Sequence, residues 1–466
     1  MSNERARVEK KRGKNRGELR ALLRKKGLRV HFIGVCGVSM YSLAIFSAER
    51  GYKVSGSDAV MSERIKKLSD RGILAYAGHS KEVVGRAELV VYSHAVSSAD
   101  PEREEALRLK IPCLTRAEFM GEIMLEYKRR IGVCGTHGKS TAVAMLSEIF
   151  EQAGRRPSVL SGAELRGGEP YLSGEREVLI YEACEYRDSF LSFYPTVALG
   201  LNLEYDHPDY FRDIEQLRAS FAKALGRASD FAVVNLDDEN LKKIYPLIKN
   251  RRRVVTFGQG QGCDYRYFIS SFLPSGYAFK LISASGECFD FEIGLSGAHF
   301  VTDAVGAIAV ALECKIPYPE IYSAIKDYGG IKGRMERIGK IGGRALYYDY
   351  AHHPTEIRAS INSLRQGGAE MITVVFKPHT YSRTLALWDD LCSALSLADR
   401  VVITDIYPAR EEPIEGVSAQ HLAESIKNAV YSPDSMVNHF LDTKGGGVIV
   451  LMGAGDFGEI RKNLLG

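Results

Sequence analysis

The segment richest in chemistry is Gly135-Thr136-His137-Gly138-Lys139-Ser140-Thr141. It follows the apolar run Arg130-Ile131-Gly132-Val133-Cys134 and precedes Val143, Met145, Leu146 and Ile149 at helical spacing. A glycine loop between a strand and a helix turns several backbone N–H groups toward one point, where the helix N-terminus adds partial positive charge. Lys139 supplies a full charge and Ser140 a hydroxyl ligand for Mg2+, so a polyphosphate is expected here. Val133 stands where the common phosphate-loop pattern has its first glycine, which makes this a Gly-Thr-His-Gly-Lys-Ser variant. Two further clusters follow strands, Glu182-Ala183-Cys184-Glu185 and Asn202-Leu203-Glu204-Tyr205-Asp206-His207-Pro208-Asp209-Tyr210. The carboxyl ends of neighbouring parallel strands share a crevice, so a carboxylate and an imidazole from these clusters, beside Ser140, are expected to hold Mg2+ there.

Downstream lie Asp349-Tyr350-Ala351-His352-His353-Pro354-Thr355-Glu356 and Lys377-Pro378-His379-Thr380-Tyr381-Ser382-Arg383-Thr384, again after strands. Adjacent His352 and His353 point in different directions and have no third ligand at suitable spacing, which argues against a catalytic zinc. Orientation of a polar substrate is the simpler role, with Arg383 able to clamp a carboxylate through two parallel hydrogen bonds. Near the N-terminus, Gly34-Val35-Cys36-Gly37 opens a helix through Ser39 and Met40, and Asp58 ends the next strand. The spacing is not the GxGxxG of a dinucleotide site, which counts against a nicotinamide oxidoreductase. The loop reads equally as a pyrophosphate rest, with Asp58 near a ribose, and as a simple turn.

These residues need scaffolds to hold them. Short apolar strands alternate with helical stretches in three sections, an α/β pattern that implies parallel sheets. Strands are expected at Val30–Ile33, Lys53–Gly56, Leu89–Tyr92 and Ile111–Leu114, then at Arg130–Cys134, Val178–Tyr181, Thr196–Leu201 and Phe231–Val234. After hairpins in 263–295, further strands are expected at Ala345–Tyr348, Met371–Phe376, Arg400–Ile403 and Gly447–Met452. The boundaries read as a basic tail 1–27, then domains at 28–127, 128–333 and 334–466. A chain of 466 residues exceeds one core and suits about three. No apolar run reaches membrane-spanning length and no secretory h-region opens the chain, so a cytoplasmic protein with no membrane partner is expected. The eight cysteines show no CxxC pair, consistent with reduced thiols, and Cys134 and Cys184 read as small fillers beside the loops. The tail carries no aromatic residues among its charges, so it reads as a solvated, partly ordered extension with no nucleic-acid partner.

In this order the motifs resemble the Mur ligase family over about residues 28 to 466, together with Met452-Gly453-Ala454-Gly455-Asp456 near the end. The resemblance implies an N-terminal Rossmann-like domain, a central P-loop-type ATPase domain and a C-terminal Rossmann-like domain. It implies an ATP- and Mg2+-dependent ligase of peptidoglycan precursor synthesis, acting on UDP-N-acetylmuramate and L-alanine through an acyl phosphate. On this resemblance Gly34, Cys36, Gly37, Ser39, Met40 and Asp58 would meet the nucleotide sugar, and Tyr350, His352 and Arg383 would position the amino acid. ATP would lie on residues 135–141 with Asp303, Arg334 and Asp349, Mg2+ would be held by Ser140, Glu182 and His207, and Lys139, His207, His352 and Arg383 would be catalytic. A monomer or weak homodimer is expected. The family's Gly-x-His-Asn-x-x-Asn segment reads Gly297-Ala298-His299-Phe300-Val301-Thr302-Asp303 here, so Phe300 is expected to stack on adenine and Asp303 to accept from its amino group. These substitutions keep a second reading open, a related protein that binds nucleotides or UDP-muramyl compounds without ligating them. A ligase that attaches a peptide is disfavoured by the Pro378–Arg383 segment.

Overall fold

The computed structural model describes residues 17–465 apart from 251–252, 274, 410, 442–446 and 456, so Asp456 and residues 1–16 of the basic tail lie outside the described residues. Three sheets follow one another along the chain. The first runs, edge to edge, Leu74–Ala77, Lys53–Asp58, Arg29–Ile33, Leu89–Tyr92 and Cys113–Thr115, all parallel. The second has a parallel centre of Arg253–Gly258, Phe231–Asn235, Val197–Gly200, Arg129–Cys134 and Val178–Glu182. An antiparallel meander, Tyr265–Leu273, Gly276–Ser283 and Cys288–Ile293, extends one side, and Ser158–Leu160 with Tyr171–Leu172 closes the other. The third orders Glu336–Ile341, Arg344–Asp349, Val448–Met452, Ile372–Phe376, Arg400–Ile403 and Ala429–Tyr431, antiparallel only at the first pair.

The central strands form because their residues suit burial on both faces. Val197-Ala198-Leu199-Gly200 and Ile372-Thr373-Val374-Val375-Phe376 are buried at every position, as expected for parallel strands covered by helices. The helix Ala298–Glu313 is apolar almost all round and packs against the helix Lys139–Gln152 that follows the phosphate loop. Six short strands escape the sequence pattern: Leu74–Ala77, Ser158–Leu160, Tyr171–Leu172, Arg253–Gly258, Glu336–Ile341 and Ala429–Tyr431. Most lie at or near sheet edges, where one face stays wet and hydrophobic patterning weakens; Leu74 is 64% exposed. The strand expected at Ile111–Leu114 begins instead at Cys113, because Pro112 has no N–H and joins the ladder only through its carbonyl, which accepts from Val90.

The reading of the tail as solvated needs correction where it is described. Residues 17–23 are helical; Leu23 is buried, Leu19 and Leu22 pack on the first core, and Arg20 donates to Glu122 at 2.8 Å. That core continues from Phe119, Met120 and Tyr127 into Tyr181, Phe190 and Phe193, so the first two sheets share apolar packing. Among the described residues no helix is long and apolar enough to cross a membrane.

Candidate active site

Every loop singled out from the sequence leaves the carboxyl edge of a strand. Gly135 follows Arg129–Cys134, Glu182 ends its strand, Asn202 follows Val197–Gly200, Asp349 ends Arg344–Asp349 and Lys377 follows Ile372–Phe376. The second and third sheets thus turn these edges into one cleft.

Gly138 closes the phosphate loop in the left-handed region at φ 77°, and the carboxylate of Asp303 lies against its α-carbon. A side chain there would meet both the backbone penalty and that carboxylate, so only glycine fits. Lys139 folds over the loop, donating to Thr136 O at 3.0 Å and to the carbonyl of Gly135. Its Nζ also sits 3.1 Å from Glu185 Oε2. Burial works against the ammonium, but Glu185 outweighs it and raises the lysine pKa, so Lys139 stays charged. Glu185, which the sequence reading quoted but gave no role, is therefore the carboxylate that meets the lysine. Glu182, the expected metal ligand, is held through Oε1 by Ser161 Oγ at 3.2 Å and by the N–H of Gly162. His207, at φ 57°, places Nε2 3.6 Å from Glu185 Oε1 and packs its ring on Tyr186. Burial pushes the thiols of Cys134 and Cys184 up to about 12 and about 11, which fits their reading as unreactive fillers.

The third domain brings Arg383 into this cleft, already engaged. Its Nε donates to Asp206 Oδ1 at 2.8 Å, its Nη2 to Asp206 Oδ2 at 3.1 Å, and its Nη1 meets His379 Nδ1 at 2.8 Å. The bidentate clamp expected for a substrate carboxylate is thus occupied by one from the middle domain. Burial opposes the Asp206 carboxylate, yet the guanidinium holds its pKa far below the usual range. Burial pushes His352 down to about 4 and, with Arg383, His379 down to about 3, so both imidazoles are neutral beside this pair. Tyr350 is half exposed, and the Arg334 guanidinium lies 5.0 Å from its ring centre.

One cavity of ≈ 710 Å³ joins these groups: Lys139, Ser140, Glu182, Glu185 and His207 from the middle, Arg334, Tyr350, His352 and Arg383 from the third domain. Val38 and Arg64 reach it from the first domain. Arg64, absent from the sequence reading, donates to Cys36 O at 2.7 Å. In the first domain's loop, Gly34 has φ 80° and Asp58 accepts from Cys36 N–H at 2.8 Å, so Asp58 braces the turn. Ser39 is exposed, but Met40 is 1% exposed inside the first core, where it packs and cannot touch a ligand in this arrangement.

A second cavity of ≈ 350 Å³ lies beside the loop, lined by His137, Gly138 and Thr141 together with Phe300, Asp303, Arg334 and Asp349. Phe300 presents a ring already packed on His299 at 4.1 Å. Burial pushes the Asp303 carboxyl up to about 7. Asp349 accepts from Ser360 Oγ and from Ala351 N–H, which fixes the start of the Asp349–Glu356 loop.

The seam between the two domains corrects the view that the histidine pair lacks further ligands. Glu204 and His137 come from the middle domain to meet His353, with ligand atoms of all three within 4.8 Å of one another. Burial would lower His137, but Glu356 and Glu204 outweigh it and push it up to about 9.

Comparison with known proteins agrees with this layout. Residues 29–128 match the Mur ligase family catalytic domain, 133–311 the Mur ligase middle domain and 333–455 the Mur ligase glutamate ligase domain. The chain is 38% identical over 450 residues to a UDP-N-acetylmuramate-L-alanine ligase of Clostridium acetobutylicum, covering 94% of this chain and 97% of that protein. A protein of the same name from Aquifex aeolicus is 36% identical over 447 residues, with 94% and 97% covered. In fold, the UDP-N-acetylmuramate-alanine ligase structure from Thermotoga maritima superposes with a TM-score of 0.80 at 23% identity, covering 94% of this chain and 98% of that one. Three matching domains in the same order, folded around one phosphate-loop cleft, establish that this chain belongs to the Mur ligase family.

Proposed function

We propose that this chain joins L-alanine to the lactyl carboxylate of UDP-N-acetylmuramate in an ATP-dependent reaction, in the cytoplasm, as a step of peptidoglycan precursor synthesis. One observation carries the reading: the ≈ 710 Å³ cavity is lined at once by Lys139 and His207, by Arg383 and His352, and by Val38 and Arg64 of the first domain. Relatives bearing that activity in their names align over nearly the whole chain.

The ligation transfers a γ-phosphoryl group to the carboxylate, and the amine then attacks the acyl phosphate and expels inorganic phosphate. In this scheme Lys139 neutralises charge that builds on the transferring group, where electrostatic stabilisation is most effective. The hydroxyl of Ser140 and the carboxylate of Glu182 on one cavity wall supply the oxygen ligands that Mg2+, a hard ion, takes, with the imidazole of His207 beside them as a less usual nitrogen ligand and positions left for phosphate. Such an ion would supply Lewis-acid stabilisation of phosphate oxygens. Neutral His352, whose Nδ1 donates to the Tyr350 carbonyl, keeps its Nε2 lone pair for an incoming amine, while His379 spends its lone pair on Arg383. Closure of the third domain, docked through Arg383 and Asp206, would exclude water and so protect an acyl phosphate from hydrolysis.

Phosphate release from ATP with UDP-N-acetylmuramate and each amino acid in turn tests the reading. Release should depend on L-alanine, and Lys139→Ala should abolish it. A second reading, a non-ligating nucleotide-binding relative, is favoured by Asp303 and Phe300 at the adenine side; binding of the nucleotide sugar without turnover would establish it.

A further inference from the structure

The histidine and carboxylate cluster on the domain seam shares no residue with the wall formed by Ser140, Glu182 and His207. His137 Nε2 lies 3.4 Å from Glu204 Oε2, and His353 Nδ1 lies 3.4 Å from the same oxygen. The two rings stand 4.6 Å apart. These separations are long for hydrogen bonds, and His137 Nε2, the nitrogen that faces Glu204, is buried without a hydrogen-bond partner. An ion bound at about 2.0–2.1 Å in tetrahedral geometry spaces its ligand atoms by about 3.4 Å. The spacing from Glu204 to each imidazole is therefore the spacing that an ion would set.

The surroundings complete such a site. His137 turns Nδ1 toward Glu356 Oε1 at 3.2 Å, the carboxylate-backed imidazole that orients a ligating histidine, and an ion at Nε2 displaces to solvent the proton that the ring otherwise carries between the two carboxylates. Thr355 Oγ1 donates to Glu204 Oε2 at 2.5 Å and fixes that carboxylate. Among the described residues His353 Nδ1 accepts one hydrogen bond, from Thr355 N–H at 3.3 Å, and an ion would take over that lone pair. Two imidazoles and one carboxylate favour borderline ions such as zinc or cobalt(II) over Mg2+, which prefers oxygen throughout. We propose that His137, Glu204 and His353 bind one divalent cation of this class, leaving a fourth position open. The ion clasps the phosphate loop, through His137, to the helix Pro354–Gln366 of the C-terminal domain, through its N-cap His353.

Cobalt(II) titrated into the full, nucleotide-free chain tests the site, with visible absorption reporting coordination and thermal melting reporting stability. The expected result is one tight equivalent with intense bands of low coordination number and a raised Tm, since an ion that binds only the folded state stabilises it. His353→Asn keeps an N-capping side chain while removing the imidazole, and Glu204→Gln removes the charge. Each should weaken binding at least about tenfold, as loss of a ligand must exceed the usual effect of losing its supporting partner. Glu182→Gln and His79→Asn should bind as the unaltered chain does; the second controls for the other cluster, His79 with Asp100 and Glu102. Circular dichroism confirms folding, and if His353→Asn unfolds, Glu204→Gln decides alone. The proposal is overturned by absence of the bands, by sulfur-to-cobalt charge transfer, by undiminished binding in folded His353→Asn or Glu204→Gln, or by loss of binding in Glu182→Gln or His79→Asn.

Discussion

Arg383 and Asp206, 177 residues apart in sequence, form a two-point ion pair in which both side chains are more than nine-tenths buried. Asp206 neighbours His207, so the pair couples the third domain's guanidinium to the loop that carries an expected metal ligand. A buried pair adds little net stability over apolar packing, but removal of one partner strands the other charge at a cost of about 3–5 kcal/mol. The pair therefore acts mainly by dictating how the two domains dock.

Asp206→Asn should leave Arg383 buried and half satisfied, opening the cleft instead of unfolding either domain. Steady-state assays should show kcat reduced by at least about tenfold, equivalent to about 1.4 kcal/mol at the transition state. Limited proteolysis between the middle and third domains should accelerate. Unchanged kinetics would show that docking does not depend on this pair.

Gly138→Ala would place a methyl group in the left-handed region and against the Asp303 carboxylate. The backbone term alone costs about 1–2 kcal/mol, and displacement of Asp303 adds to it. ATP binding followed by calorimetry should weaken by at least about tenfold. Pairing the change with Asp303→Ala should recover part of the loss, because the steric share disappears while the backbone share remains.

Asp303 gives a pH signature with a defined sign. Its folded pKa of about 7 lies above the ordinary 3.8, so folding takes up a proton between those values. Stability from this group is fully present below pH 3.8 and is lost as pH rises through about 7, by at most about 4 kcal/mol at 1.36 kcal/mol per unit. The same ionisation sets a negative charge beside the phosphate loop, so KM for ATP should rise above pH 7. Asp303→Asn should flatten both slopes in melting and kinetic series from pH 5 to 8.5. Parallel profiles in the two proteins would remove Asp303 from the nucleotide site.

Some of this was legible in the chain because its chemistry is local. The strand, the Gly135–Thr141 turn and the following helix are contiguous, and a helix N-terminus faces anions wherever it sits. Central strands such as Phe231–Asn235 announce themselves as unbroken apolar runs, while wet edge strands such as Leu74–Ala77 do not.

Which groups meet was decided only by the tertiary structure. Glu182 and Glu185 look interchangeable in sequence, yet Glu182 is the last residue of its strand and turns to Gly162, whereas Glu185 lies past the edge and reaches Lys139. Arg383 had the right chemistry to clamp a carboxylate, but that its partner is Asp206 follows from how one domain packs on another. The same is true of Glu204, which meets Thr355 across 151 residues. Local turns are set by short-range backbone preferences, while pairings of this kind depend on packing distributed over whole domains, and no single motif encodes that.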